Sequence, residues 1–142
     1  MNRSSPAPSP SPTTTQTAHE AFLGLVTDAI SVSGGDWTFA DEKTPFSVRR
    51  ALTHKREECL SDSSTEQYSL TLYGPAKVDP TEATKQMTLH WQGLGYSVRR
   101  VVATSDDIEI AATVPGGSQI GYFASTGVTS ITAQGPCVTS AR

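Results

Sequence analysis

From Tyr96 to Ala133 the chain repeats one pattern: apolar and polar residues alternate for several positions, then a short Gly- or Asp-containing link interrupts. The alternating segments are Tyr96 to Ala103, Asp107 to Val114, Gln119 to Ser125 and Val128 to Ala133. Their links are Thr104-Ser105-Asp106, Pro115-Gly116-Gly117-Ser118 and Thr126-Gly127. A period of two places successive side chains on opposite faces of a strand. Links this short cannot carry a parallel crossover, which needs about a dozen residues, so the strands must run antiparallel to their neighbours. Ile108, Ile110, Ala112 and Val114 then share one face, while Asp107, Glu109 and Thr113 occupy the other. The apolar face of such a meander must be covered by something.

Two helices are marked to cover it. Thr17-Ala18-His19-Glu20 matches a capping box, and Phe22, Leu25, Val26, Ala29 and Ser33, with Ile30 alongside, follow helical spacing. Gly34-Gly35 supplies a left-handed exit, so a helix is predicted from about Ala18 to Ser33. Asp79-Pro80-Thr81-Glu82 gives the second helix a cap, a first-turn proline and a Glu three residues after the cap. Ala83, Met87, His90, Trp91 and Leu94 fall on one of its faces, and Gly95 closes it. Trp37 and Phe39 read as a short edge strand, Phe46 to Leu52 as a strand by composition, and Leu60 to Gln67 as a polar loop. Tyr68 to Tyr73 alternates cleanly and is a further strand. The predicted fold class is α+β: a two-layer sandwich with two helices on one face of a mainly antiparallel sheet of about five or six strands. The other face is expected to stay open.

Residues 1–16 are dominated by Ser, Pro and Thr, too poor in apolar surface to offset the entropy of ordering, and read as a disordered tail or tether. Residues 17–142 then form a single domain, large enough for one core. A net charge of −3 argues against non-specific nucleic-acid binding, which needs a basic face. No stretch approaches the roughly 20 apolar residues that span a bilayer. Met1-Asn2-Arg3 is followed by serines and prolines without an apolar secretory stretch. Cys59 and Cys137 lack the close spacing of zinc or redox motifs. Both stand in turn-like contexts at strand ends, where either a disulfide or two reduced thiols fits; a disulfide would imply an oxidising compartment. Together these features favour a mature exported domain lacking its leader, with the tail as its tether; the alternative takes Met1 as native and the protein as cytoplasmic.

Candidate chemistry is sparse. His19, His54 and His90 have no ligand-type partner at i+4, and His90 beside Trp91 fits a hydrogen-bonded structural histidine more readily than a catalytic base. No nucleophile elbow, zinc-helix motif or phosphate-cradling glycine loop occurs, so no catalytic residue, cofactor or metal is implied. The acidic pairs Asp41-Glu42, Glu57-Glu58 and Asp106-Asp107 read as solvated loop carboxylates. Trp37 and Trp91 read as core. The strongest binding lead is two arginine pairs, Arg49 with Arg50 and Arg99 with Arg100, each placed mid-strand. If those strands are neighbours, two guanidinium groups converge on the open face and grip a carboxylate or phosphate; otherwise they pair with acidic neighbours or reach solvent. Phe46-Ser47-Val48-Arg49-Arg50-Ala51-Leu52 also echoes Tyr96-Ser97-Val98-Arg99-Arg100-Val101-Val102, through either duplication or chance.

The helix ending Trp91-Gln92-Gly93-Leu94-Gly95-Tyr96, the Val98 strand, the terminal Gly135-Pro136-Cys137-Val138 and the Ser/Pro/Thr spacer resemble small secreted lipoprotein and envelope domains of uncharacterised function from actinobacteria. The resemblance implies an extracytoplasmic place, a disulfide and a membrane tether through a lipid anchor that this sequence does not carry. It transfers no functional residue. Three functions follow as expectations. The first is a non-catalytic envelope domain that binds a protein or envelope component through its open sheet face. The second is a small apolar-ligand carrier with a pocket lined by Trp91, Met87 and Tyr122, and the third an enzyme using His90.

Overall fold

The computed structural model describes residues 15–59, 62–104 and 106–139. The predicted tail over residues 1–14 lies outside the described residues. In order, the elements are α1 (Thr15–Ser33), β1 (Thr38–Phe39), α2 (Val48–Ala51), β2 (Glu57–Cys59), β3 (Asp62–Gln67) and β4 (Ser69–Gly74). Then come α3 (Pro80–Gly93), β5 (Ser97–Ala103), β6 (Asp107–Thr113), β7 (Gln119–Ser125), β8 (Thr129–Gln134) and β9 (Val138–Thr139).

The meander forms as its links require. A six-stranded sheet has the order β1-β4-β8-β7-β6-β5, and all of its pairs are antiparallel. The chain leaves β4, crosses one face as α3, enters the far edge as β5, and returns through the meander until β8 pairs with β4. Local chemistry fixes each turn. Ser125 Oγ accepts from the backbone N–H groups of Gly127 and Val128, closing the β7–β8 hairpin. Gly116 and Gly117 take φ of 105° and 107° in the β6–β7 hairpin, a left-handed conformation that glycine adopts without steric cost.

Both sequence-marked helices pack on the same face. Asp79 caps α3, its carboxylate accepting from the Glu82 N–H at 3.1 Å. Pro80, Thr84, Met87 and Trp91 are its buried side, while Leu94 is left 48% exposed at the C-cap. α1 contributes Phe22, Leu23, Leu25, Val26 and Ala29, and ends at Gly34 and Gly35 with φ of 77° and 85°. The Lys77 ammonium donates to the Ser33 carbonyl, a cation against the negative end of the helix. These side chains meet Leu70, Leu72, Ile108, Ile110, Ala112, Ile120, Tyr122, Ile131 and Ala133 from the sheet in one core. Trp37 and Trp91 both belong to it. The α+β two-layer reading therefore holds.

Three local expectations are corrected. α1 begins at Thr15, so Thr17 lies inside the helix rather than at its cap, and Thr15 and Gln16 leave the tail. Phe46 to Leu52 is not a strand. Ser47 takes an extended N-cap conformation and its hydroxyl accepts from the Arg50 N–H, which starts the one-turn α2. Ala51 is buried against the core while Val48 and Leu52 stay exposed. Finally, of the predicted loop Leu60 to Gln67, Leu60 and Ser61 lie outside the described residues, and Asp62–Gln67 is the strand β3. β3 is the middle of a second antiparallel sheet, β2-β3-β9, held by backbone pairing rather than by an apolar side.

That small sheet is stapled. Cys59, at the end of β2, and Cys137, just before β9, form a disulfide with Cα atoms 6.2 Å apart, across a sequence separation of 78. A bridge over so long a loop removes about 4–5 kcal/mol of chain entropy from the unfolded state, of which about 2–4 kcal/mol is typically realised. The Cys59→Ser/Cys137→Ser double variant is predicted to lose about 2–4 kcal/mol in urea unfolding. A midpoint unchanged from that of the oxidised protein would show that the bridge adds no stability.

Candidate functional site

The sheet has one covered face and one bare one. With α1 and α3 on the apolar side, the opposite face carries three rows of side chains that run across the strands. Their order follows from the pairing register. The first row is Ser97, Thr113, Gln119, Gln134 and Ser69, and the second is Arg99, Ala111, Gly121, Thr132 and Thr71. The third contains Val102, Glu109, Phe123, Ser130 and Tyr73. A shallow depression of about 170 Å³ sits at the centre, lined by Glu109, Ala111, Gln119, Gly121, Thr132 and Gln134. The described C-terminal residues pair with β3 in the other sheet as β9, and Thr113, Gln119, Thr132 and Gln134 of this face stay exposed. Amides and hydroxyls predominate here, and both groups donate and accept hydrogen bonds.

The structure does not bring the two arginine pairs together. Arg49 and Arg50 lie on α2, which follows β1 and packs near it through Phe46 on Phe39, with ring centroids 5.4 Å apart. Arg99 and Arg100 lie on β5, at the opposite edge of the sheet. All four are exposed. The expected convergence rested on reading Phe46 to Leu52 as a strand and falls with it. The echo likewise pairs a helical turn with a strand, so it is not a structural repeat. On β5, the two charges and the register shift between Arg100 and Val102 serve an edge strand well, since charge and irregularity oppose pairing with another chain.

A second concavity lies between α1 and the β6–β7 hairpin. This groove of about 340 Å³ is walled by Ala18, Ala21, Phe22, Leu25, Leu94, Val114, Pro115 and Pro136, with Asp28 and Tyr96 among its polar edges. Trp91, Met87 and Tyr122, expected to line a pocket, are instead fully buried in the core. The Tyr122 hydroxyl there shares a 2.8 Å hydrogen bond with Ser33 Oγ.

His90 Nε2 and Asp28 Oδ2 are 2.7 Å apart and join α3 to α1. Asp28 is among the residues that line the groove and His90 is not. Burial, followed by the nearby Asp28 charge, pushes the Tyr96 phenol above its ordinary range. The contact tying the helices gives His90 a structural task. Among the described residues no three His, Cys, Asp or Glu side chains gather as metal ligands.

The acidic pair at Asp41 is a turn. Its carboxylate accepts first from the Thr44 hydroxyl and then from the N–H groups of Lys43 and Thr44, which together hold its pKa down to about 2. Glu57 and Glu58 are exposed on β2, and Asp106 and Asp107 are exposed at the β5–β6 connection. The Asp107 N–H there donates to Thr104 Oγ1.

One cluster was not foreseen. His19 is 7% exposed and stacks on Tyr68, with centroids 4.0 Å apart and planes 7° from parallel. Arg56 sits 5.7 Å from the centroid of the same tyrosine ring and 3.7 Å from Glu66. Burial is the larger cause that lowers the His19 pKa, and the charge of His54 adds to it; a hydrogen bond to the Ala51 backbone opposes both. The folded state thus prefers neutral His19. Its contribution to stability is complete above the ordinary value of 6.5 and is lost progressively as pH falls below that value toward the depressed one.

Comparison with protein-family models, with curated proteins and with solved structures finds no match to this chain. Function must therefore be argued from the geometry alone. For the histidine cluster the prediction is an unfolding midpoint that falls from pH 7 to pH 5. The fall should be smaller in His19→Phe, which keeps a ring on Tyr68 but cannot take a proton. Equal falls in the two proteins would remove His19 as the source.

Proposed function

We propose that this chain is an exported, non-catalytic binding domain of the cell envelope that engages a protein or envelope component through its open sheet face. One observation carries the reading: a six-stranded sheet buries one face under two helices while the described residues leave the other uncovered. A face built mainly of Ser, Thr and Gln has little apolar reason to be covered, and it is broad enough for a macromolecular partner. The Cys59–Cys137 disulfide supports an oxidising compartment. No described helix is long and apolar enough to cross a membrane. The charges on the face, Glu109 and Asp107 with Arg99 at the edge, do not suit a nucleic-acid backbone.

A second reading has its own observation. The groove between α1 and the β6–β7 hairpin is apolar, concave and of ligand size, as a small-molecule site would be, so a carrier role survives there in place of the Trp91 pocket.

Co-sedimentation with isolated envelope material from the source cells tests the leading reading. Wild-type protein and the helix-side control Lys85→Glu are predicted to be retained alike. The open-face double variant Thr113→Lys/Thr132→Lys should be retained at least tenfold less. Equal retention of all three, or retention of none, would overturn the assignment to this face.

A further inference from the structure

We infer that the open face binds a neutral, polyhydroxylated chain, an oligosaccharide or glycan segment, laid across the strands over Gly121. This inference rests on the open-face reading above and names the chemistry of its partner.

Gly121 stands in the middle of β7, flanked by β6 and β8. A glycine inside a central strand weakens it and usually marks a bulge, a tight bend or a close approach by another group. Here β7 pairs without a register shift on either side. The backbone is not left-handed, and a β-carbon at this position would meet its nearest neighbours at 3.7–3.8 Å, which is ordinary contact. Nothing inside the fold requires glycine. Gly74 shows the contrast, because a β-carbon there would run into the Trp37 ring. What Gly121 does provide is a low floor for the open face.

That floor continues sideways. Ala111 and Thr132 are the register partners of Gly121, and Thr71 is the partner of Thr132. Small side chains therefore make a trough across four strands, with Arg99 at its outer end on β5. At a strand spacing of about 4.8 Å, the five positions span roughly 19 Å. Gln119 and Gln134, which face each other in register, wall one side, while Glu109, Phe123 and Tyr73 stand along the other.

This lining selects among partners. Two amides, several hydroxyls and one carboxylate offer both donors and acceptors, the pattern that a chain of hydroxyl groups satisfies. Phe123 and Tyr73 present partly exposed rings against which the apolar face of a sugar can rest. The trough lacks the cluster of large apolar and aromatic anchors that dominates protein interfaces. Its one basic side chain is Arg99 at the outer end, and Glu109 in the lining offsets it, which leaves too little positive charge for a polyanion.

Titration of the intact, oxidised protein with soluble neutral oligosaccharides of four to six units, N-acetylated and non-acetylated, tests the inference by NMR and calorimetry. The expected result is amide shift changes at Gly121, Thr132, Gln119 and Gln134 with at least one of the sugars. Gly121→Val should weaken that binding at least tenfold. Because a β-carbon fits at this site, the variant should keep its fold, as an unchanged amide spectrum remote from the face will verify; Gln119→Ala/Gln134→Ala provides a second, non-filling variant. Shift changes confined to the groove beside Asp28, or sugar binding indifferent to both variants, would overturn the inference. If no sugar binds while envelope retention still depends on Thr113 and Thr132, the glycan assignment fails and the face remains the binding surface. Loss of both results removes both.

Discussion

An antiparallel sheet of six strands has two faces, and the described helices cover only one of them. Burying Ile108, Ile110, Ile120, Tyr122, Ile131 and Leu72 beneath α1 and α3 supplies the core, and each fully buried aliphatic or aromatic side chain contributes about 1.5–3 kcal/mol. Strict alternation means that the same residues which commit one face to the core commit their neighbours to the other. A slip of one residue in register would place Gln119, Gly121 and Thr132 against Trp91 and Met87. The register is thus held by the core, and the composition of the open face is held in place with it.

Much of this was legible in the sequence because the decisive signals were local. Asp79-Pro80 and Gly34-Gly35 mark helix ends through backbone chemistry that needs no tertiary context. The short links of the meander leave no alternative to antiparallel pairing. Cys59 and Cys137 sit where the folded chain can join them, at 6.2 Å between Cα atoms. Elsewhere one composition served two structures. Ser-Val-Arg-Arg is a strand at β5, where it pairs with β6, and a helical turn at α2, where the Ser47 hydroxyl caps the Arg50 N–H. β3 escaped notice because it buries no apolar stripe; its strand character comes from partners distant in sequence.

The candidate site was hidden for the same reason. Ala111, Gly121 and Thr132 are unremarkable one at a time and about ten residues apart, and they become a trough only when register aligns them. The arginine pairs, by contrast, drew the eye as motifs and prove to be separate features, one on a helical turn and one on an edge strand. His90 found a carboxylate partner, but that partner belongs to α1 and fastens the two covering helices together. The polar groups that suit binding here are ordinary serines, threonines and glutamines in an ordered array.

The central claim is that the second face of the sheet is free in the intact protein. Hydroxyl-radical footprinting of the full-length, oxidised chain measures this directly through its aromatic side chains. Phe123 and Tyr73 are predicted to be modified readily, while Trp91, Tyr122 and Phe22 in the core are protected. Protection of Phe123 and Tyr73 to the level of Trp91 would mean that something already covers the face, and would contradict the account.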